Sequence, residues 1–244
     1  MPASRRAGFL DLLVHFHGAE AVRALLAPAD LGLVIVAIDA GEGSQRYAEA
    51  FAAPSALGEL VESVRRALAE QDGAAPRLGR LVVSAWSAGY GAVHQILLRR
   101  PEGLDAVILL DGLHASYGPD GGLGVEAIEP FLDFARRARD GKAMMVVTHS
   151  EIRPVGYAST SETASYLLHE LGAQRRYAGL VALEGVEQKT SFAQGGLRVR
   201  GYTGTTREAH CALLRMLPPI LRDDVLPGLR QRTKNSQTPK PDSW

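Results

Sequence analysis

Apolar residues along the chain gather in short runs rich in Val, Ile and Leu: FLDLLVHF at 9–16, LGLVIVAID at 31–39, LVVSAW at 81–86, AVILLD at 106–111, AMMVVTH at 143–149 and LRVRGY at 197–202. Most of these runs are continuous rather than alternating, as strands covered on both faces require, so they predict a parallel sheet. Between them lie stretches with helical spacing, at about 18–27, 57–70, 88–99, 126–139, 160–172 and 207–221. In the second of these, Leu57, Leu60, Val61, Val64 and Leu68 recur at i, i+3, i+4 and i+7 and share one helix face. Ser159 stands three positions before Glu162, a capping-box signature that sets the start of the fifth helix. Strands alternating with helices imply right-handed crossovers and a doubly wound, mostly parallel α/β sheet with helices on both faces.

The loops that follow these runs hold the unusual residues: HFHGAE, DAGEGS, SAWSAG, DGLHASYG, THSEIRP and GYTGTTREAH. In such sheets ligands bind beyond the carboxyl ends of the strands, where loops and helix N-termini converge, so the site belongs on that edge. Composition then narrows the picture. The 244 residues are 46% hydrophobic and 22% charged, enough for one core. They predict a single domain over 1–228, a small helical insert at about 112–142 and a flexible polar tail over 229–244. Lys+Arg and Asp+Glu are both 27, which gives no electrostatic reason to expect nucleic acid or an anionic membrane. Cys211 is the sole cysteine, so no internal disulfide forms and the chain suits the cytoplasm. The stretch GFLDLLVHFHG is interrupted by Asp11, His15 and His17, unlike the apolar region of a secretory signal. No run approaches the roughly 20 apolar residues of a membrane span. The expectation is a soluble cytoplasmic protein; the sequence assigns no oligomeric state.

Several chemistries fail on spacing. DAGEGSQR offers Gly41 and Gly43, but the third glycine of a dinucleotide fingerprint falls on Arg46. No phosphate-cradling GxxxxGKS or GxxxxGKT, no HExxH and no paired-cysteine spacing occurs. His114 and His149 lack ligand spacing and read as structural or substrate-contact residues, and Cys211 reads as a packed small hydrophobe. A nucleophile fits better. Ser87 lies between Ala85 and Gly89, directly after a predicted strand and before a predicted helix. At a sharp strand-to-helix turn bulky residues at 85 and 89 would collide, and Ser87 would project from the apex. A serine hydroxyl is a weak nucleophile and needs a base in reach, with an acid to orient that base. His210, just after the last predicted strand, follows the chain order serine, acid, histidine. Two carboxylates compete for the acid. Asp111 ends AVILLD and is preferred, although a strand-ending Asp–Gly also starts turns; Glu151 follows the next strand and stays open.

Strand order, elbow and terminal histidine together resemble the α/β-hydrolase superfamily over roughly residues 9–221. Ala85 stands where the family usually has glycine, which keeps the position small. The strands that often precede the first one are reduced, so the chain is similar to the smaller lipases and cutinase-like esterases. The resemblance implies that His17 and Gly18 form an oxyanion loop, with backbone donors on Ala19 and Ala88 and with the His17 side chain bracing the loop; Trp86 beside Ser87 reads as pocket lining or packing. His15 reads as structural, and Tyr47, Tyr117 and Tyr157 as pocket lining or packing. It further implies a serine esterase that works through an acyl-enzyme, needs no cofactor and takes a small-molecule or polymeric ester. Amide or peptide cleavage on the same triad, and a non-catalytic binding protein on this scaffold, are the alternatives.

Overall fold

All six apolar runs become strands, and the computed structural model describes residues 8–235. The basic N-terminal residues and positions 236–244 of the expected tail lie outside that range. In chain order the elements are β1 (Phe9–Phe16), α1 (Ala19–Leu26), β2 (Val34–Ile38), α2 (Ser44–Ala50), α3 (Ala56–Asp72), β3 (Arg77–Trp86), α4 (Tyr90–Leu98), β4 (Ala106–Leu110) and the short β5 (Ala115–Ser116). There follow α5 (Glu129–Arg139), β6 (Met144–His149), β7 (Tyr157–Ala158), α6 (Thr160–Glu170), β8 (Arg176–Leu183), β9 (Val186–Gln194) and β10 (Leu197–Tyr202). Last come α7 (Arg207–Arg215), the single turn α8 (Leu217–Pro219) and α9 (Leu226–Asn235).

Eight strands form one sheet in the order β2-β1-β3-β4-β6-β10-β9-β8. The six read from the sequence pair in parallel, while β9 and β8 add an antiparallel edge. Successive strand residues point to opposite faces, so a strand buried on both sides feeds two cores. Val83, Ala85, Val107, Leu109, Met145 and Val147 join the helices α3 to α6 in one core. Val82, Ile108, Leu110, Met144 and Val146 meet α1, α7 and the C-terminal helices in the other. Helices on both faces of a mostly parallel sheet make the doubly wound fold that the sequence predicts. The chain winds outward from β1 to β2, then returns past β1 to β3, so the winding reverses between β1 and β3. Ligands favour the strand carboxyl ends at such a switch point, and both the HG loop after β1 and Ser87 after β3 stand there.

Several elements depart from the sequence pattern, the short helix α2 among them. The β8–β9 hairpin was not expected. Its turn residues Glu184 and Gly185 are both left-handed, with φ 53° and 86°, the geometry that lets a two-residue turn follow strand twist. Helix α5, within the expected insert, packs Phe131, Phe134 and Ala135 into the core as an ordinary crossover between β4 and β6. Helix α9 runs through the first part of the expected tail and buries Leu226 and Leu229.

Candidate active site

Ser87 leaves β3 into a turn of 3-10 helix, Ser87–Gly89, that leads directly into α4. Its φ is 48°, a left-handed conformation that a non-glycine residue adopts only under constraint. Gly89 shows the constraint: a Cβ there would lie 2.2 Å from the Phe16 carbonyl oxygen. The small residue is required by the close approach of β1, the strand next to β3. Gly112 presses on the elbow from the other side, since its Cβ would lie 2.6 Å from the Ser87 carbonyl oxygen and 2.9 Å from its nitrogen.

Asp111, the residue before Gly112, follows β4 and also has a left-handed backbone, with φ 47°. Its Oδ2 accepts from His210 Nδ1 at 2.7 Å. Its Oδ1 accepts from the Ser150 N–H at 2.8 Å and from the Thr160 hydroxyl at 2.5 Å. The carboxylate is buried. Burial alone would push its pKa up; the bonds from His210, Thr160 and Ser150 outweigh that and hold it below the usual range. Of the two candidate acids, the fold brings Asp111 to the imidazole. Glu151 accepts from Lys189 Nζ at 2.8 Å and from the Gly204 N–H at 3.4 Å, which ties the loop after β6 to β9 and to the loop that leads from β10 into α7.

His210 lies in the first turn of α7, whose N-cap Thr206 accepts from Ala209 N–H. Trp86 places it. The indole Nε1 donates to the His210 carbonyl at 3.1 Å, its ring packs on the His210 ring at 4.8 Å, and it stacks on His17 at 5.1 Å. One side chain thus joins the end of β3 to the HG loop after β1 and to the first turn of α7. Among the described residues no hydrogen bond joins the Ser87 hydroxyl to His210; such bonds commonly tighten only when substrate is bound.

The HG loop is held more firmly than the sequence suggests. His17 and Gly18 are both left-handed, with φ 74° and 78°, so the following backbone N–H groups point into one small concavity. The carboxylate of Asp39, just after β2, fills it. Gly18 N–H donates to Oδ1 at 2.7 Å and Ala19 N–H to Oδ2 at 2.9 Å. The donor expected on Ala19 is therefore engaged within the protein, whereas Ala88 sits immediately after Ser87 in the 3-10 turn. Tyr47 is fully buried, and its hydroxyl donates to Asp39 at 3.4 Å while lying 2.8 Å from His17 Nδ1. His15 braces the same loop. Its Nε2 donates to the His17 carbonyl and its Nδ1 accepts from Ser84, both at 2.7 Å, as a neutral ring can. Burial lowers its pKa to about 4.

Asp39, Thr160 and the bracing role of His15 escaped the sequence reading. Asp39 ends an apolar run as Asp111 does, and that shared position was the available signal. His149 is buried, with its pKa lowered to about 4 chiefly by burial, and contacts Arg175; His114 bonds the Ala158 carbonyl. Tyr157 stands on the short β5–β7 ladder and Tyr117 directly follows β5, bridged to Leu123; both are exposed, and Cys211 follows His210 on α7.

No family model matches the chain, and no curated protein matches its sequence. Among solved structures it is similar to a thermostable esterase, at 15% identity and a TM-score of 0.46, covering 96% of this chain and 56% of that one. It is similar to an S-formylglutathione hydrolase from Agrobacterium tumefaciens, at 14% identity and a TM-score of 0.48, covering 87% and 82% of the two chains. An IroE-like serine hydrolase from Shewanella oneidensis stands at 11% identity and a TM-score of 0.44, covering 93% and 78%. The chain thus spans little more than half the length of the first. At these values the likeness says nothing of the chemistry, which the side chains alone must carry.

Proposed function

We propose that this chain is a serine hydrolase that cleaves carboxylic esters through an acyl-enzyme. The observation that carries the reading is the 2.7 Å bond from His210 to a buried Asp111 whose loop lies against the strained Ser87 turn. In this reading Ser87 Oγ attacks the ester carbonyl carbon as its proton passes to His210 Nε2. Asp111, kept ionised by its hydrogen bonds, orients the ring and stabilises the imidazolium. The tetrahedral intermediate collapses, and the departing alkoxide takes the proton from His210. Water then attacks the acyl-enzyme, gives its proton to His210, and releases the carboxylic acid with Ser87 restored. Ala88 N–H stabilises the oxyanion throughout. Ala19 N–H joins it only when its bond to Asp39 opens.

A fluorophosphonate probe tests the reading. We expect labelling of the folded protein at Ser87, none in Ser87→Ala, and turnover of p-nitrophenyl esters above that of amide analogues. Asp111→Asn should lower kcat by roughly 10⁴-fold, because the imidazole loses its orienting charge, and Glu151→Gln by far less. Folded wild-type protein that takes no label would point to a binding protein.

A further inference from the structure

The geometry points to Thr160 as a positioning residue that sets the orientation of the acid, an inference that rests on the hydrolase reading. The terminal torsion of an aspartate is broad and roughly two-fold, so nothing intrinsic decides which way the carboxylate of Asp111 faces. Its partners must decide. Anchoring Oδ1 turns Oδ2 toward His210, and Oδ1 has two donors, the Ser150 N–H at 2.8 Å and the Thr160 hydroxyl at 2.5 Å. Ser150, Thr160 and Asp111 are all buried, so no solvent competes for these bonds. A hydrogen bond to a charged acceptor in such surroundings is among the stronger kinds.

What makes Thr160 more than one more donor is where it stands. It is the first residue of α6, whose start is fixed by a complete capping box between Ser159 and Glu162. One turn further on, the Thr163 hydroxyl donates to the Leu113 carbonyl. The first turn of α6 therefore holds the loop after β4 at Asp111 and again at Leu113. Gly112, between them, packs on the backbone of Ser87. A rigid helix start thus fixes the distance between the acid and the elbow, and Thr160 is the part of it that touches the carboxylate. Nothing in Thr160 reaches a reacting atom.

Two substitutions separate positioning from packing. Thr160→Val keeps the branched shape and removes the hydroxyl, whereas Thr160→Ser keeps the hydroxyl and removes a methyl. For hydrolysis of a p-nitrophenyl ester we expect Thr160→Val to lower kcat by about tenfold with KM unchanged, and Thr160→Ser to stay within about twofold of wild type. A readout independent of turnover is the downfield proton resonance of the bond between His210 and Asp111, assigned by its loss in Asp111→Asn. It should shift or broaden in Thr160→Val and persist in Thr160→Ser. Wild-type kcat and an unmoved resonance in Thr160→Val would overturn the inference, as would equal damage in both variants. If the wild-type protein neither takes a fluorophosphonate at Ser87 nor turns over esters, the hydrolase reading fails. The resonance then still decides whether Thr160 holds the carboxylate.

Discussion

Strain marks the site residue by residue. Among the described residues five non-glycine residues have positive φ, and three of them, His17, Ser87 and Asp111, stand just beyond the ends of adjacent parallel strands. Each costs about 1–3 kcal/mol and persists only where the surroundings over-determine it. The peptide between His17 and Gly18 shows how. Its carbonyl accepts from His15 and its N–H donates to Asp39, so both ends of one peptide plane are pinned. Asp39→Ala leaves two N–H groups without their acceptor. With nearly half of the Asp39 side chain exposed, water replaces part of the loss, and we expect destabilisation of about 1–2 kcal/mol, read as a lower urea midpoint at unchanged slope. An unchanged midpoint would mean that the loop holds its shape without the carboxylate. Local pattern singles out Ser87 and His210, the proposed nucleophile and base, one between small residues after a strand and the other near the start of the last predicted helix. For the proposed acid the pattern prefers Asp111 but leaves Glu151 open, because both follow strands and only side-chain direction separates them.

At the scale of elements, close backbone approaches explain which helices pack where. A Cβ on Gly91 of α4 would lie 2.1 Å from the Ser44 carbonyl oxygen at the start of α2, so the two helices meet backbone to backbone there. Gly91→Ala forces them apart. We expect a loss of about 1–3 kcal/mol and a drop in Tm of several degrees, measured by thermal unfolding. A Tm within a degree of wild type would show that α2 shifts freely. Helix α2 and the β8–β9 hairpin are among the elements that periodicity missed, for a common reason. Helix α2 is short and buries only Tyr47 among its own residues, and β8 exposes Tyr177, Leu180 and Val181. Periodicity reports a buried face, so an element that buries little leaves no period to read. The turn at Glu184 and Gly185 also lacks the Asn–Gly or Asp–Gly pair that most plainly signals a hairpin.

For the whole molecule, burial of neutral histidines sets the response to acid. His15 and His149 have pKa values lowered to about 4, in both cases mainly by burial, against an ordinary value of 6.5. Between those values the unfolded chain binds more protons than the folded one, so stability falls as pH drops through that window. Between pH 7 and pH 5 each histidine should remove about 2 kcal/mol. Asp111 acts in the same sense at lower pH: its depressed pKa contributes stability above the unfolded value, lost as pH falls through the folded one. Urea titrations at pH 7 and pH 5 should therefore differ clearly in midpoint. Equal midpoints would show that these rings gain protons without opening the fold.

The alternation of the six parallel strands with their main helices and the small residues flanking Ser87 were determined by the sequence alone, because each is written in neighbouring residues as burial, spacing or size. Tertiary structure decided the partnerships. His210 meets Asp111 across 99 positions, and Thr160 meets the same carboxylate across 49. Asp39 reaches the HG loop only because β2 lies beside β1. Such pairings depend on strand order and register, which bring side chains together at one edge of the sheet irrespective of their distance along the chain.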